Sequence, residues 1–129
     1  MSDNVNTHAG SCHCGRVQFR AAGAPKFVSA CHCASCRRAT GAAFSTWVGF
    51  ASERVEWSGE SPYFFASSVG VKRGFCRSCG TPLTYQSDKW PGETHFPIGV
   101  FKDPSPFTPA SDFLIEERLA WVTPVAEKK

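Results

Sequence analysis

Residues 30–41 read ACHCASCRRATG and place three cysteines, Cys31, Cys33 and Cys36, within six positions. Two smaller knots flank them in the chain: Cys12 and Cys14 in SCHCG, and Cys76 and Cys79 in FCRSCG. Zinc favours thiolate ligands. A structural zinc site is a closed tetrahedron of four protein ligands, whereas a catalytic site holds three and keeps one position open. The seven cysteines divide as four plus three. Joined, the two small knots make a closed site of Cys12, Cys14, Cys76 and Cys79 that ties the first strand to the middle of the chain. Gly15 and Gly80 directly follow their knots, and glycine allows the tight turn that brings backbone N–H groups up to sulfur. The third knot carries enough sulfur to hold a metal alone, with a position left for substrate. One four-cysteine zinc with three spare thiols is the competing partition. A third reading, buried thiols or a redox pair, fits the spacing less well. A thioredoxin-like use of CRSC needs a βαβ setting, and the flanking sequence does not provide one.

The chain of 129 residues is the size of one domain, taken as residues 1–129 with a core over about 10–121. A net charge of +3 with no block of like charges argues against a nucleic-acid-binding arm and suits a small anionic substrate. The opening MSDNVNTHAG is polar and lacks the apolar stretch of a signal peptide. No apolar run reaches bilayer-spanning length. The expectation is a soluble cytoplasmic protein with neither a nucleic-acid nor a membrane partner. Disulfides do not persist in a reducing cytosol, so the cysteines need another task.

The pattern is β throughout. RVQFRA alternates, with Val17 and Phe19 on one face. FSTWVGF alternates too, putting Phe44, Thr46, Val48 and Phe50 together and Trp47 on the other side. RVEW, PYFF, VKRGF, PLTYQ, HFPIGV and DFLIEERL are further short strands, separated by turns such as AAGAP, SGESP, WPGET and KDPSP. Nine Pro and 11 Gly leave little room for long helices. SCRRATG forms one helical turn ended by Gly41. Residues 1–9 and the tail VTPVAEKK read as frayed.

The histidines inside the knots, His13 and His32, sit in the middle of C-x-C, where an extended chain turns the central side chain away from the metal. His32 is therefore a candidate for proton transfer or a supporting contact rather than a ligand. His95 reads as a satisfied half-buried residue and His8 as solvent-facing. Arg37 and Arg38 follow the three-cysteine knot at once. A zinc with three thiolates is negatively charged, more so with a thiolate substrate, and a guanidinium nearby offsets that charge or grips a carboxylate. Lys72 and Arg73 are weaker candidates for the same role.

GSCHCGRVQF, CHCASCRRATGAAFSTW and FCRSCGTPLTY, in that order and spacing, resemble the glutathione-dependent formaldehyde-activating enzyme family, which includes the centromere protein V relatives. The likeness runs from about Gly10 to Trp121. It implies a β-tent: a mainly β fold of small antiparallel sheets pinned by zinc, with little helix. It implies two zinc ions per chain, a structural one on Cys12, Cys14, Cys76 and Cys79 and a catalytic one on Cys31, Cys33 and Cys36. The activity implied is that of a carbon–sulfur lyase, joining glutathione or a similar thiol to formaldehyde or another small aldehyde as an S-(hydroxymethyl)glutathione synthase does. One departure stands out. Family members often carry a His in a late strand, where SDFLIEERLAWV has Asp112. The competing class is a non-enzymatic zinc-binding β-tent that serves as an interaction module, since fold alone does not carry function.

Overall fold

Alternation shapes the first sheet. The computed structural model describes residues 6–126. In β2 (Val17–Ala22), Val17, Phe19 and Ala21 point inward, while Gln18 and Arg20 face solvent. This strand pairs antiparallel with β1 (Thr7–Ser11) on one side and β5 (Val55–Gly59) on the other, making a three-stranded sheet.

The second sheet has seven strands. In chain order they are β3 (Phe27–Cys31), β4 (Ser45–Ala51), β6 (Tyr63–Ser68), β7 (Val71–Phe75), β8 (Pro82–Ser87), β9 (Glu93–Pro97) and β10 (Ser111–Phe113). Across the sheet they run β10-β3-β4-β9-β8-β7-β6, antiparallel except for the β3–β10 pair, which is parallel. The α-helix α1 (Ala34–Thr40) follows β3, and Gly41 ends it in the left-handed conformation at φ 71°. The fold is thus mainly β, with small sheets and little helix.

Phe19 and Ala21 of β2, Val28 of β3, Val48 and Phe50 of β4 and Phe96 of β9 pack into one buried cluster with Phe101 and Phe107. The Phe19 and Phe96 rings stack at 4.2 Å between centroids. Each buried Phe contributes about 1.5–3 kcal/mol, so this aromatic seam is the main apolar bond between the two sheets. β4 is covered on both faces. Val48 and Phe50 enter the core as expected, while Trp47, buried on the opposite side, packs on Cys31 and Cys36.

Several boundaries differ from the sequence reading. Thr7–Ser11, expected to be mostly frayed, is a strand, and His8 is not left to solvent. Its Nε2 lies 3.1 Å from Gly23 O and its ring sits 5.0 Å from Phe107. β3 had no clear alternation and was not foreseen. DFLIEERL contributes just its first two residues to a three-residue strand, because Leu114 turns into the left-handed region at φ 53° and a 3-10 turn, Ile115–Glu117, follows. The tail is tied down as far as Ala126. Val122 is buried, and Val125 and Ala126 donate backbone N–H groups to Asp112. Residues 1–5 and 127–129 lie outside the described residues.

Candidate metal centres

The first centre joins two hairpin tips. Cys12 and Cys14 lie in the turn between β1 and β2, and Cys76 and Cys79 in the turn between β7 and β8. Their four Sγ atoms lie within 4.8 Å of one another. Ligands at about 2.3 Å from a tetrahedral zinc stand about 3.8 Å apart. The Cys12–Cys14 and Cys14–Cys76 sulfurs are separated by 3.6 and 3.8 Å, so the donor set fits. The two turns are built alike. Val17 N donates to Cys12 Sγ at 3.3 Å and Cys79 N to Cys76 Sγ at 3.5 Å. Gly15 and Gly80 hold φ of 84° and 81°, which L side chains rarely adopt. The turns also touch directly, His13 N donating to Thr81 Oγ1 at 3.0 Å. The Thr81 hydroxyl, then its backbone, bring the Cys79 thiol down to about 5, which favours the thiolate form that a metal needs.

The second centre is local. Cys31 ends β3, Cys33 caps α1 and Cys36 lies in its first turn. The three Sγ atoms lie within 4.8 Å of one another, with Cys31 and Cys33 at 3.5 Å. Cys33 Sγ accepts from Cys36 N at 3.3 Å, which fixes the capping sulfur toward its neighbours. The Cys36 thiol is lowered to about 5, chiefly by a hydrogen bond from Cys31, then by Cys33 and the positive charge of Arg73, against the effect of burial. Cys31 moves the other way, raised by the same bond to Cys36 and by burial. The trio thus stabilises one thiolate strongly.

The sequence-predicted residues around this trio fall in different places. His32 is fully buried, its Nε2 2.8 Å from Asp112 Oδ1 and its ring 5.4 Å from Phe44. Asp112 also receives Val125 N at 2.9 Å and Ala126 N at 2.8 Å. Burial alone would raise its carboxyl, but the His32 bond and the two N–H groups hold it below the usual range. Arg37 donates from Nη1 to the carbonyls of His32 and Glu117, the latter at 2.9 Å. Glu117 Oε1 in turn accepts Ala34 N at 3.1 Å. The C-terminal segment therefore clamps the loop that carries the three sulfurs. Arg38 is exposed. Lys72 lies over the exposed Phe64 ring at 4.7 Å.

Arg73, ranked low from sequence, is the buried cation. It is 5% exposed, lies over the Tyr85 ring at 4.9 Å, and donates to Ser67 Oγ and Ser35 Oγ. Beside it a cavity of about 290 Å³ opens, walled by Trp47, Phe65, Phe75 and Thr84 and bordered by Thr40 of α1 and Gly80 of the first centre's turn. Trp47, Thr84 and the clamp from Asp112 and Glu117 were not foreseen as site residues. The one sequence signal for Trp47 was its place out of phase with the apolar face of its strand.

Two cysteine clusters that can each hold a metal ion, on small sheets closed by an aromatic core, define a cysteine-rich β domain with two candidate metal centres. The family described as glutathione-dependent formaldehyde-activating enzyme matches residues 7–117, and the chain belongs to that family. A crystal structure of a Rhodobacter sphaeroides protein, a Northeast Structural Genomics target, has the same fold. It is 20% identical, with a TM-score of 0.61 over 81% of this chain and 98% of that one. No curated protein matches the chain. No helix among the described residues is long and apolar enough to cross a membrane.

Proposed function

We propose that the protein is a zinc-dependent carbon–sulfur lyase-type enzyme, joining a thiol such as glutathione to a small aldehyde such as formaldehyde, with one structural and one catalytic zinc per chain. The observation that carries this reading is the trio Cys31, Cys33 and Cys36, gathered within 4.8 Å from a strand end and the start of α1 and adjoining a cavity through Trp47, Arg73 and Thr40. Family membership supports the choice of reactants. Three thiolates fit a metal that keeps a fourth position for an exogenous ligand. A zinc ion held there supplies, when bound, a position at which a thiol is ionised near neutral pH.

The chain's own groups do the rest. Cys33, as helix cap, and Cys31, at a strand end, fix the sulfurs on regular elements. Arg73 sets a positive charge beside Cys36 and offsets the charge that an incoming thiolate adds. Apolar walls displace bulk water and hold the aldehyde close to the thiol, where proximity supplies much of the acceleration. In the reaction the sulfur–carbon bond forms, the carbonyl electron pair moves to oxygen, and the proton lost by the thiol ends on that oxygen. His32, bound to Asp112 through Nε2, acts by holding the loop in place. The free cysteines suit a reducing compartment such as the cytoplasm.

The test is exchange NMR with ¹³C-formaldehyde and glutathione. Wild type should accelerate interconversion with the adduct, and Cys36→Ser should not. An exchange rate equal to that of protein-free buffer overturns the reading and favours a binding module.

A further inference from the structure

Four side-chain N or O atoms are buried without a hydrogen-bond partner among the described residues: His32 Nδ1, Trp47 Nε1, Arg73 Nη1 and Thr84 Oγ1. Three of the four belong to residues that line the cavity of about 290 Å³. Native proteins leave few such groups, because each costs about 1–3 kcal/mol. The three atoms are themselves covered, but the residues that carry them share the wall of one cavity, where a ligand that displaces their covering would complete them.

The chemistry of these groups narrows the ligand. An indole N–H and a guanidinium N–H can only donate, and a threonine hydroxyl can donate. Arg73 is buried, and among the described residues no carboxylate pairs with it. Its Nε and Nη2 are met by the neutral hydroxyls of Ser67 and Ser35. A buried guanidinium is costly without a counter-charge; Cys36 supplies one, through charge and a side-chain hydrogen bond, and the two serine hydroxyls add none. Nη1 is left over. Gly74 is shaped to the same end. A side chain there would collide with Thr84 Oγ1 and the Phe64 ring, so glycine leaves room for the hydroxyl. The remaining walls, Phe65, Phe75 and Pro82, are apolar.

We propose that this cavity is a carboxylate-binding subsite, in which Arg73, Trp47 and Thr84 donate to the carboxylate of a small reactant whose other end lies at the three-cysteine centre. The identity of the reactants rests on the proposed function; the carboxylate site does not. Size agrees with a short chain. Formaldehyde, with two heavy atoms where water at about 30 Å³ has one, would leave most of the cavity to solvent. The carboxylate arrives on the aldehyde, as in an α-oxo acid, or on a short thiol acid.

The experiment follows the Trp47 indole N–H by NMR in the full chain, assigned through Trp47→Phe, during titration with propionate and with its neutral isostere propionamide. Propionate should shift the peak saturably and propionamide should not. Arg73→Gln should weaken propionate about tenfold or more, the loss expected for a charge-assisted bond, and Thr84→Val several-fold. Equal responses to acid and amide would make the cavity a hydrated void and overturn the proposal. If Arg73→Gln fails to fold, Thr84→Val decides, and unchanged affinity in that variant overturns it. Exchange rates then identify the carrier, comparing glyoxylate with formaldehyde, and 3-mercaptopropionate with 2-mercaptoethanol. A preference for the acid in one pair, erased by Arg73→Gln or Thr84→Val, names it; no preference in either pair overturns the subsite's part in the reaction. Saturable propionate binding in a protein that forms no adduct supports the subsite and overturns the enzyme reading.

Discussion

The two cysteine clusters use the same side chain for opposite structural ends. Cys14 and Cys76 are 62 residues apart, and their meeting locks the tip of a hairpin in the three-stranded sheet to the tip of a hairpin in the seven-stranded one. Cys31, Cys33 and Cys36 come from one strand end and the first turn of α1, and bridge nothing distant. A metal in the first closes a long loop and joins two sheets, so its binding free energy becomes folding free energy. A metal in the second rests on a turn already held by Asp112, Arg37 and Glu117. With an ion in each, architecture rather than ligand type would decide which one is structural.

The largest effect should come from breaking the first cluster. Structural zinc in small domains contributes about 10–16 kcal/mol of apparent binding free energy, more than most domains have in total stability. Cys76→Ser, or exhaustive chelation, should therefore unfold the chain, read as loss of dispersed amide NMR peaks. Two zinc ions per native chain are expected by metal analysis. A Cys76→Ser protein as stable as wild type would show that the hairpin tips need no ion, and the contrast between the clusters would fall.

Cys36→Ser should leave a folded protein with one zinc and no acceleration of adduct exchange. Its melting temperature should fall by a few degrees at most, because the aromatic core and the first cluster stay intact. Unfolding comparable to that of Cys76→Ser would make both ions structural.

The partition into four and three was legible because ligand spacing is a local property of the chain, and so was the turn of helix ended by Gly41. The strands that alternate were legible for the same reason. What failed was what pairing decides. Thr7–Ser11 consists of small or polar residues and becomes a strand because β2 offers it a partner. β3 alternates buried Val28 and Ala30 with half-buried Phe27 and Ser29, but five residues of mixed polarity leave no clear period in the sequence. Arg73 earned little weight in the sequence because its burial comes from register: it lies opposite Tyr85 across the β7–β8 ladder, in reach of Ser35 on α1. Asp112 reaches His32 across 80 residues, a contact that local pattern cannot show.

Asp112→Ala probes the clamp rather than the metal. It strips partners from His32 Nε2 and from Val125 and Ala126 N–H, at a cost of about 1–3 kcal/mol. The pH dependence has a definite sign. The folded carboxyl titrates below its ordinary value, so its contribution is fully present above the unfolded value of about 3.9 and is lost as pH falls through the lower folded value. Acid unfolding curves of wild type and Asp112→Ala should converge at low pH. Curves that keep their separation there would show that the carboxylate's charge is not what holds the tail.

The smallest effect separates the adjacent arginines. Both were expected beside the second metal as charge partners, yet the structure places them differently. Arg37 bonds two backbone carbonyls, one from His32 beside the cysteines and one from Glu117 in the C-terminal segment. Losing charge-assisted bonds of this kind costs about 1–3 kcal/mol, so Arg37→Gln should lower the melting temperature and loosen the second zinc, read as faster loss to a chelator. Arg38 is exposed; substitution at such a position changes stability by about 0.5 kcal/mol or less. As an exposed charge it is screened by water and salt, so Arg38→Gln should change glutathione affinity less than twofold at physiological ionic strength. A glutathione titration of both single variants at matched salt distinguishes the two roles. A drop in Arg38→Gln well beyond that twofold limit would mean that the exposed guanidinium grips the thiol's carboxylate directly. The second centre would then draw its charge partner from the surface as well as from Arg73.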